Sequence, residues 1–190
     1  MDLLDLIPID KLTPIARLKR IRDELLHTIN ICKEQRLFGP ALILLYSGTD
    51  IMASLIRPPN ADEVRRDDFL RWAGDYILPD SNLNCTPIEL YAARCSILHS
   101  LRYDSGLSRD GRARRIRYIF DNADVVRENM EELERQDTSL VVVDFDGLLQ
   151  AFENGVERFL ENIENNPQDN TIIIERINNE LIFFPLLDTQ

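Results

Sequence analysis

Apolar residues recur at helical spacing along the first hundred positions. Ile15, Leu18, Ile21, Leu25, Ile29 and Cys32 share one face of a segment that Thr13-Pro14 opens and that runs to about Arg36, while Lys19, Arg20 and Asp23 fall off that face. Gly39-Pro40 then opens ALILLYSGTDIMASLI, apolar nearly all round and stopped by Pro58-Pro59, which predicts the core helix of a bundle. A third helix is predicted over Asp67 to Leu78, with Trp72 as a core anchor, and Pro79-Asp80-Ser81-Asn82 reads as a turn. Thr86 to Leu101 is a fourth helix. Thr86 is its N-cap, Pro87 its first residue and Glu89 the partner in a capping box. Four helices on short links make a bundle.

Past Leu101 the pattern changes. Residues 102–111 have the Gly, Ser and Asp content of a loop. Arg114 to Phe120 and the β-branched run Leu140 to Phe145 are expected as strands able to pair, with a polar helix from Asp124 to Gln136 between them. Gly147 to Asn165 is an amphipathic helix, and TIIIERI and ELIFF are expected as two short strands about Asn178-Asn179. The fold class is therefore mainly α: a helical bundle over residues 1–105 with a small α+β extension over 106–190 packed on it.

The fourth helix carries the chemistry. Ile88, Tyr91, Ala92, Cys95 and Leu98 form one apolar face and Leu90, Ile97 and Leu101 a roughly opposite one, leaving Glu89, Ala93, Ser96 and Ser100 as the strip suited to water. A helix apolar on two sides is expected to be central or shared with a second subunit. Arg94 and His99 lie in this surface, about 140° apart on an ideal helix, so one helix alone does not bring them together. Asp50, inside the apolar second helix, needs a cationic or hydrogen-bonding partner; Arg94 is the one named, with Tyr46 one turn away in reach of the same pocket, and an equally weighted reading puts Asp50 at a helix kink near Gly48, facing solvent or a backbone amide.

Arg94-Cys-Ser-Ile-Leu-His99 resembles the R-x(4–6)-H pattern of the HEPN superfamily, helical bundles that include metal-independent ribonucleases of toxin–antitoxin, phage-defence and CRISPR systems. The resemblance covers roughly residues 10 to 105 and departs from the family at Cys95, where a polar residue, commonly Asn, is usual. It implies an HEPN-like bundle and a homodimer in which this helix meets its copy, so that two Arg and two His line one RNA-binding cleft. RNA and an antitoxin or regulatory protein are the partners implied, with no cofactor and no metal. In the mechanism that would follow, His99 serves as acid and base and Arg94 grips the phosphate of an RNA attacked by its own 2′-hydroxyl. Asp50, Tyr46 and Cys95 would orient them. The alternative is a non-catalytic HEPN-like module that binds a partner protein or a nucleotide, with Arg94 and His99 fixing helix packing.

Charge sharpens this picture. The 190 residues carry a net charge of −11. Residues 94–119 nevertheless hold seven Arg against two Asp, whereas residues 120–190 hold four Arg against seventeen acids. A confined phosphate site fits that local excess, with Arg102, Tyr103, Arg109, Arg112, Arg114, Arg115 and Arg117 as RNA contacts. An equally weighted reading pairs the arginines with the acidic C-terminal third. Cys32, Cys85 and Cys95 form no even disulfide set and no CxxC pair, so a reducing compartment is expected. With an acidic N-terminus and no apolar run near the roughly 20 residues of a membrane span, the expected address is the cytoplasm and no membrane partner is expected.

Two other motifs are weaker. VVVDFDGLL, residues 141 to 149, resembles the nucleophile strand of haloacid-dehalogenase phosphatases, but Leu148 replaces the expected Thr and too little chain follows; capping of the next helix by Asp144 or Asp146 explains it better. Cys95 and His99, spaced i, i+4, form a conceivable nucleophile pair without a visible third residue to orient it.

Overall fold

The computed structural model describes residues 12–79, 81–102, 104–120 and 124–181. The molecule is mainly helical. Helix α1 spans Pro14–Glu34, and the Thr13 hydroxyl accepts from the Ala16 amide at its start. Helix α2, Phe38–Leu55, lies against it and buries Leu42, Leu45, Tyr46, Met52 and Leu55. By length and composition α2 is apolar enough to cross a membrane, yet half of it is buried inside the molecule. Helix α3, Arg66–Trp72, continues into a π turn over Ala73–Ile77, where the Leu78 amide reaches back to the Ala73 carbonyl at 3.0 Å. Helix α4 is Pro87–Ser100, and its capping box is present, with the Thr86 amide donating to Glu89 at 2.8 Å.

A short helix α5, Gly106–Arg109, forms within the stretch expected as loop. Strands β1, Arg115–Ile119, and β2, Leu140–Asp144, pair in parallel, Arg115 opposite Leu140 and Ile119 opposite Asp144. Parallel strands need a crossover, and helix α6, Asp124–Gln136, supplies it while packing on both strands. Helix α7, Phe145–Asn165, follows β2 directly, because Asp144 caps it through a 2.8 Å bond from the Gly147 amide.

The last element corrects the sequence expectation. Thr171–Asn179 is a helix, α8, rather than the first strand of a hairpin, and residues 182–184 of the ELIFF segment lie outside the described residues. The β-branched TIII run favours a strand locally, but the helix sets Ile173, Arg176 and Ile177 on one face at i, i+3 and i+4. That face is buried for good reason. Arg176, 5% exposed, donates to the carbonyls of Leu55, Arg57 and Pro58 at 2.9, 2.6 and 2.9 Å, closing the C-terminal end of α2.

One hydrophobic core runs through both halves of the chain. Trp72 from α3 meets Phe152 and Phe159 from α7, Phe69 meets Tyr91 of α4, and Val141, Val143 and Ile116 join the same core from the strands. Backbone approaches backbone closely at Gly155 of α7, where an added Cβ would stand 2.5 Å from the Tyr76 carbonyl oxygen. That carbonyl also accepts from Arg158. Gly155→Ala is therefore expected to lower stability by about 1–2 kcal/mol even though alanine is the better helix former, because backbone must move to admit the methyl. An unchanged or raised urea midpoint would count against this crossing.

Candidate functional site

Helix α4 is buried on one side and open on the other. Leu90, Ala93 and Ile97 pack inward on α2 and β1. The strip expected to face water is corrected by the structure: Glu89, Ala93 and Ser96 are buried, and only Ser100 is exposed. Two partners explain why a polar strip goes inside. Ser96 returns its hydroxyl to the Ala93 carbonyl at 2.9 Å, and Glu89 receives Arg114 at 2.5 and 3.2 Å. His99 is likewise not enclosed by apolar neighbours but exposed, next to the half-buried Cys95 and Leu98.

Arg94 and Asp50 meet. The Nε and Nη2 of Arg94 both donate to Oδ2 of Asp50, at 2.8 and 2.6 Å, with the two side chains 20% and 19% exposed. Burial raises the Asp50 carboxyl above its ordinary value, against the pull of Arg94 and, more weakly, of His99. Burial also works against the charge on Arg94, but Asp50 outweighs it and holds the guanidinium above its usual value. The carboxylate thus fixes one edge of the Arg94 fork and leaves the Nη1 side unengaged by Asp50.

The other expected site residues divide. Tyr46 is buried and turned elsewhere: its hydroxyl lies 2.6 Å from that of Tyr118 on β1, and burial raises the pKa of both phenols. Cys95 lies beside Tyr91 and Arg94. Arg114 is held by Glu89, with Glu134 at 3.7 Å, Arg115 by Asp137 at 2.9 Å and Arg109 by Asp104 at 3.4 Å. Arg102 and Arg112 are exposed and make no ion pair among the described residues. Arg102 and Arg117 border a groove of about 410 Å³ beside the end of α4, otherwise lined by apolar residues such as Leu42, Ile97 and Phe120. Tyr103 lies outside the described residues. Another cleft, about 490 Å³, opens at the carboxyl ends of β1 and β2 and includes neither Arg94 nor His99. No group of three or more His, Cys, Asp or Glu among the described residues is placed to hold a metal ion.

Two neighbours of this site carry no signal in the sequence pattern. Arg66, at the start of α3, lies over the Tyr91 ring with its guanidinium carbon 5.8 Å from the centroid, and Arg94 lies 6.0 Å from the same centroid. Tyr91 is visible in the sequence only as an apolar-face residue, and Arg66 only as part of a charged link.

The Glu89–Arg114 pair makes a pH prediction. Burial alone would raise Glu89, but hydrogen bonds from Arg114 and Thr86 outweigh it and its pKa is lowered. A carboxyl depressed in the folded state adds stability above its unfolded pKa and loses it as pH falls through the folded value. Since Arg114 is one-third exposed, the gain is modest. Glu89→Gln is expected to cost about 1–2 kcal/mol near pH 6, with the gap in urea midpoint closing as pH approaches 3. A gap that stays constant with pH would show that the charge of Glu89 contributes nothing.

No family model, no curated protein and no solved structure matches this chain.

Proposed function

We propose that the chain is an HEPN-like, metal-independent endoribonuclease of toxin or phage-defence type, working as a homodimer through α4. The observation that carries this reading is the Arg94–Asp50 pair: a carboxylate fixes one edge of the guanidinium while the exposed His99 lies five residues further along the same helix. The open face of α4, with Ile88, Tyr91, Cys95 and Leu98 half-buried, offers a surface on which a second α4 would set two Arg and two His side by side.

The chemistry follows from the residue types. A 2′-hydroxyl loses its proton to one imidazole and attacks the adjacent phosphorus, and the 5′-oxygen leaves with a proton from the imidazolium of the other copy. Arg94 holds the non-bridging oxygens as negative charge builds on them. The products are a 2′,3′-cyclic phosphate and a 5′-hydroxyl end. Incubating the purified protein with end-labelled single-stranded RNA in EDTA tests this, the expected result being cyclic-phosphate ends and an uncut DNA control. RNA left intact by a dimeric protein would shift the case to the second reading.

That second reading, a non-catalytic module binding a partner protein or nucleotide, draws support from Arg109, Arg114 and Arg115, which are engaged by acids of the same chain rather than free for a phosphate backbone.

A further inference from the structure

Strand β1 has an open edge. Among the described residues it pairs with β2 alone, and the Arg115 amide donates toward β2, to the Ser139 carbonyl at 2.8 Å. Successive amides along a strand point to opposite sides, so those of Ile116 and Tyr118 point away from β2. Among the described residues no other backbone group reaches the amide or carbonyl of either residue at that outer edge.

The groove of about 410 Å³ follows this edge. Ile116, Arg117 and Tyr118 border it in succession, although alternate residues of a strand face opposite ways. Its walls come from the two layers that flank the strand, Leu42 and Ile97 from the helical bundle and Met130 from α6. A cavity that touches three consecutive strand residues and both layers lies along the edge rather than on a face. On α4 it meets Ala93 and Ile97, on the side opposite the Tyr91, Cys95 and Leu98 face offered to a second copy. Leu101, 63% exposed, stands at its lip. The charged residues that line it are Arg102 and Arg117, and no acid lines it among the described residues.

Unpaired backbone beside an apolar trough is completed by an added strand, whereas a phosphate chain would leave the apolar walls uncovered. We infer that the β1 edge takes up an extended segment of a partner protein as a further strand, one in which apolar residues alternate with acidic ones. Side chains on the Ile116 and Tyr118 side enter between Leu42 and Ile97, and the intervening acids come beside Arg117, within the field of Arg102. The inference does not depend on the ribonuclease reading.

The full chain is titrated with a fluorescent decapeptide in which leucine alternates with aspartate, and amide exchange is followed by NMR at saturation. Exchange at the Ile116 and Tyr118 amides is expected to slow about tenfold or more, while Arg117 and Ile119, whose amides point to β2, keep their rates. Replacing aspartate by lysine should weaken binding about tenfold, and Leu101→Asp should do the same at an unchanged melting temperature. Two further peptides carry N-methyl groups on alternate amides, in one phase or the other. One is expected to lose binding and the other to keep it, since only one set of amides faces β1. Absence of binding, equal binding by the two methylated peptides, or unchanged exchange at Ile116 and Tyr118 overturns the inference. So does exchange there that slows with protein concentration alone, which gives the edge to a second copy, or protection by single-stranded RNA in place of the peptide.

Discussion

Arg176→Met is expected to destabilise the protein by about 3–5 kcal/mol, because it removes the one side chain that satisfies three carbonyl oxygens at the end of α2 while changing little in volume. Burial, and then the neighbouring Arg57, lower the pKa of Arg176, so its charge is held there against a real cost and the hydrogen bonds are what retain it. Arg57 cannot take over. Its own Nε and Nη1 already donate to Ala61 and Ser54, and its Nη2 to Glu180 at 2.5 Å. For a chain of this size the loss corresponds to a fall in melting temperature of about 10 °C. Arg176→Lys should fall between, since an ammonium cannot span the same three acceptors. A urea titration in which the methionine variant unfolds with wild type would show that solvent satisfies these carbonyls.

The second large effect is chemical. His99→Ala is expected to slow RNA cleavage by about 10²–10⁴-fold under single-turnover conditions, the usual contribution of a positioned acid or base. Arg94→Ala should match it within an order of magnitude, because phosphate charge then builds without its counter-cation. Asp50→Asn acts through the positioning of Arg94 and should cost about tenfold. His99 is exposed, so its variant should unfold at the wild-type urea concentration. Cleavage undiminished in His99→Ala would remove the histidine from the mechanism, and undiminished growth inhibition by overexpressed Arg94→Ala would do the same for the arginine.

Much of the fold is legible in the sequence where local and tertiary forces agree. The α1, α2 and α4 boundaries follow from Thr13-Pro14, Gly39-Pro40 and the Thr86–Glu89 box, since these residues satisfy or spare the same terminal amides in any surroundings. The two strands are legible for the same reason. Helix α8 is not, because its conformation is decided by Arg176 reaching carbonyls more than a hundred residues away, which no window of TIIIERI contains. The inward strip of α4 fails similarly: Glu89 reads as a surface residue until Arg114 is brought to it by β1. In the site, the Asp50–Arg94 contact is legible because a carboxylate within an apolar helix demands a partner and Arg94 is a cation set in another apolar helix surface. Arg66 is invisible for the opposite reason, standing in a charged link where nothing marks one arginine from the next.

The passage of α7 through the common core also orders events in time. When residues 1–105 have left a ribosome, α2 is complete, but the surfaces of Trp72, Tyr76 and Gly48 that Phe152, Phe159 and Gly155 will cover are still bare. The parallel strands cannot pair until the crossover helix and β2 have followed. The nascent chain therefore presents these aromatic surfaces of α3 and its π turn for as long as translation needs to add some fifty more residues. For a protein proposed to cut RNA, the same delay means that α4 acquires its final packing only after most of the chain has been synthesised.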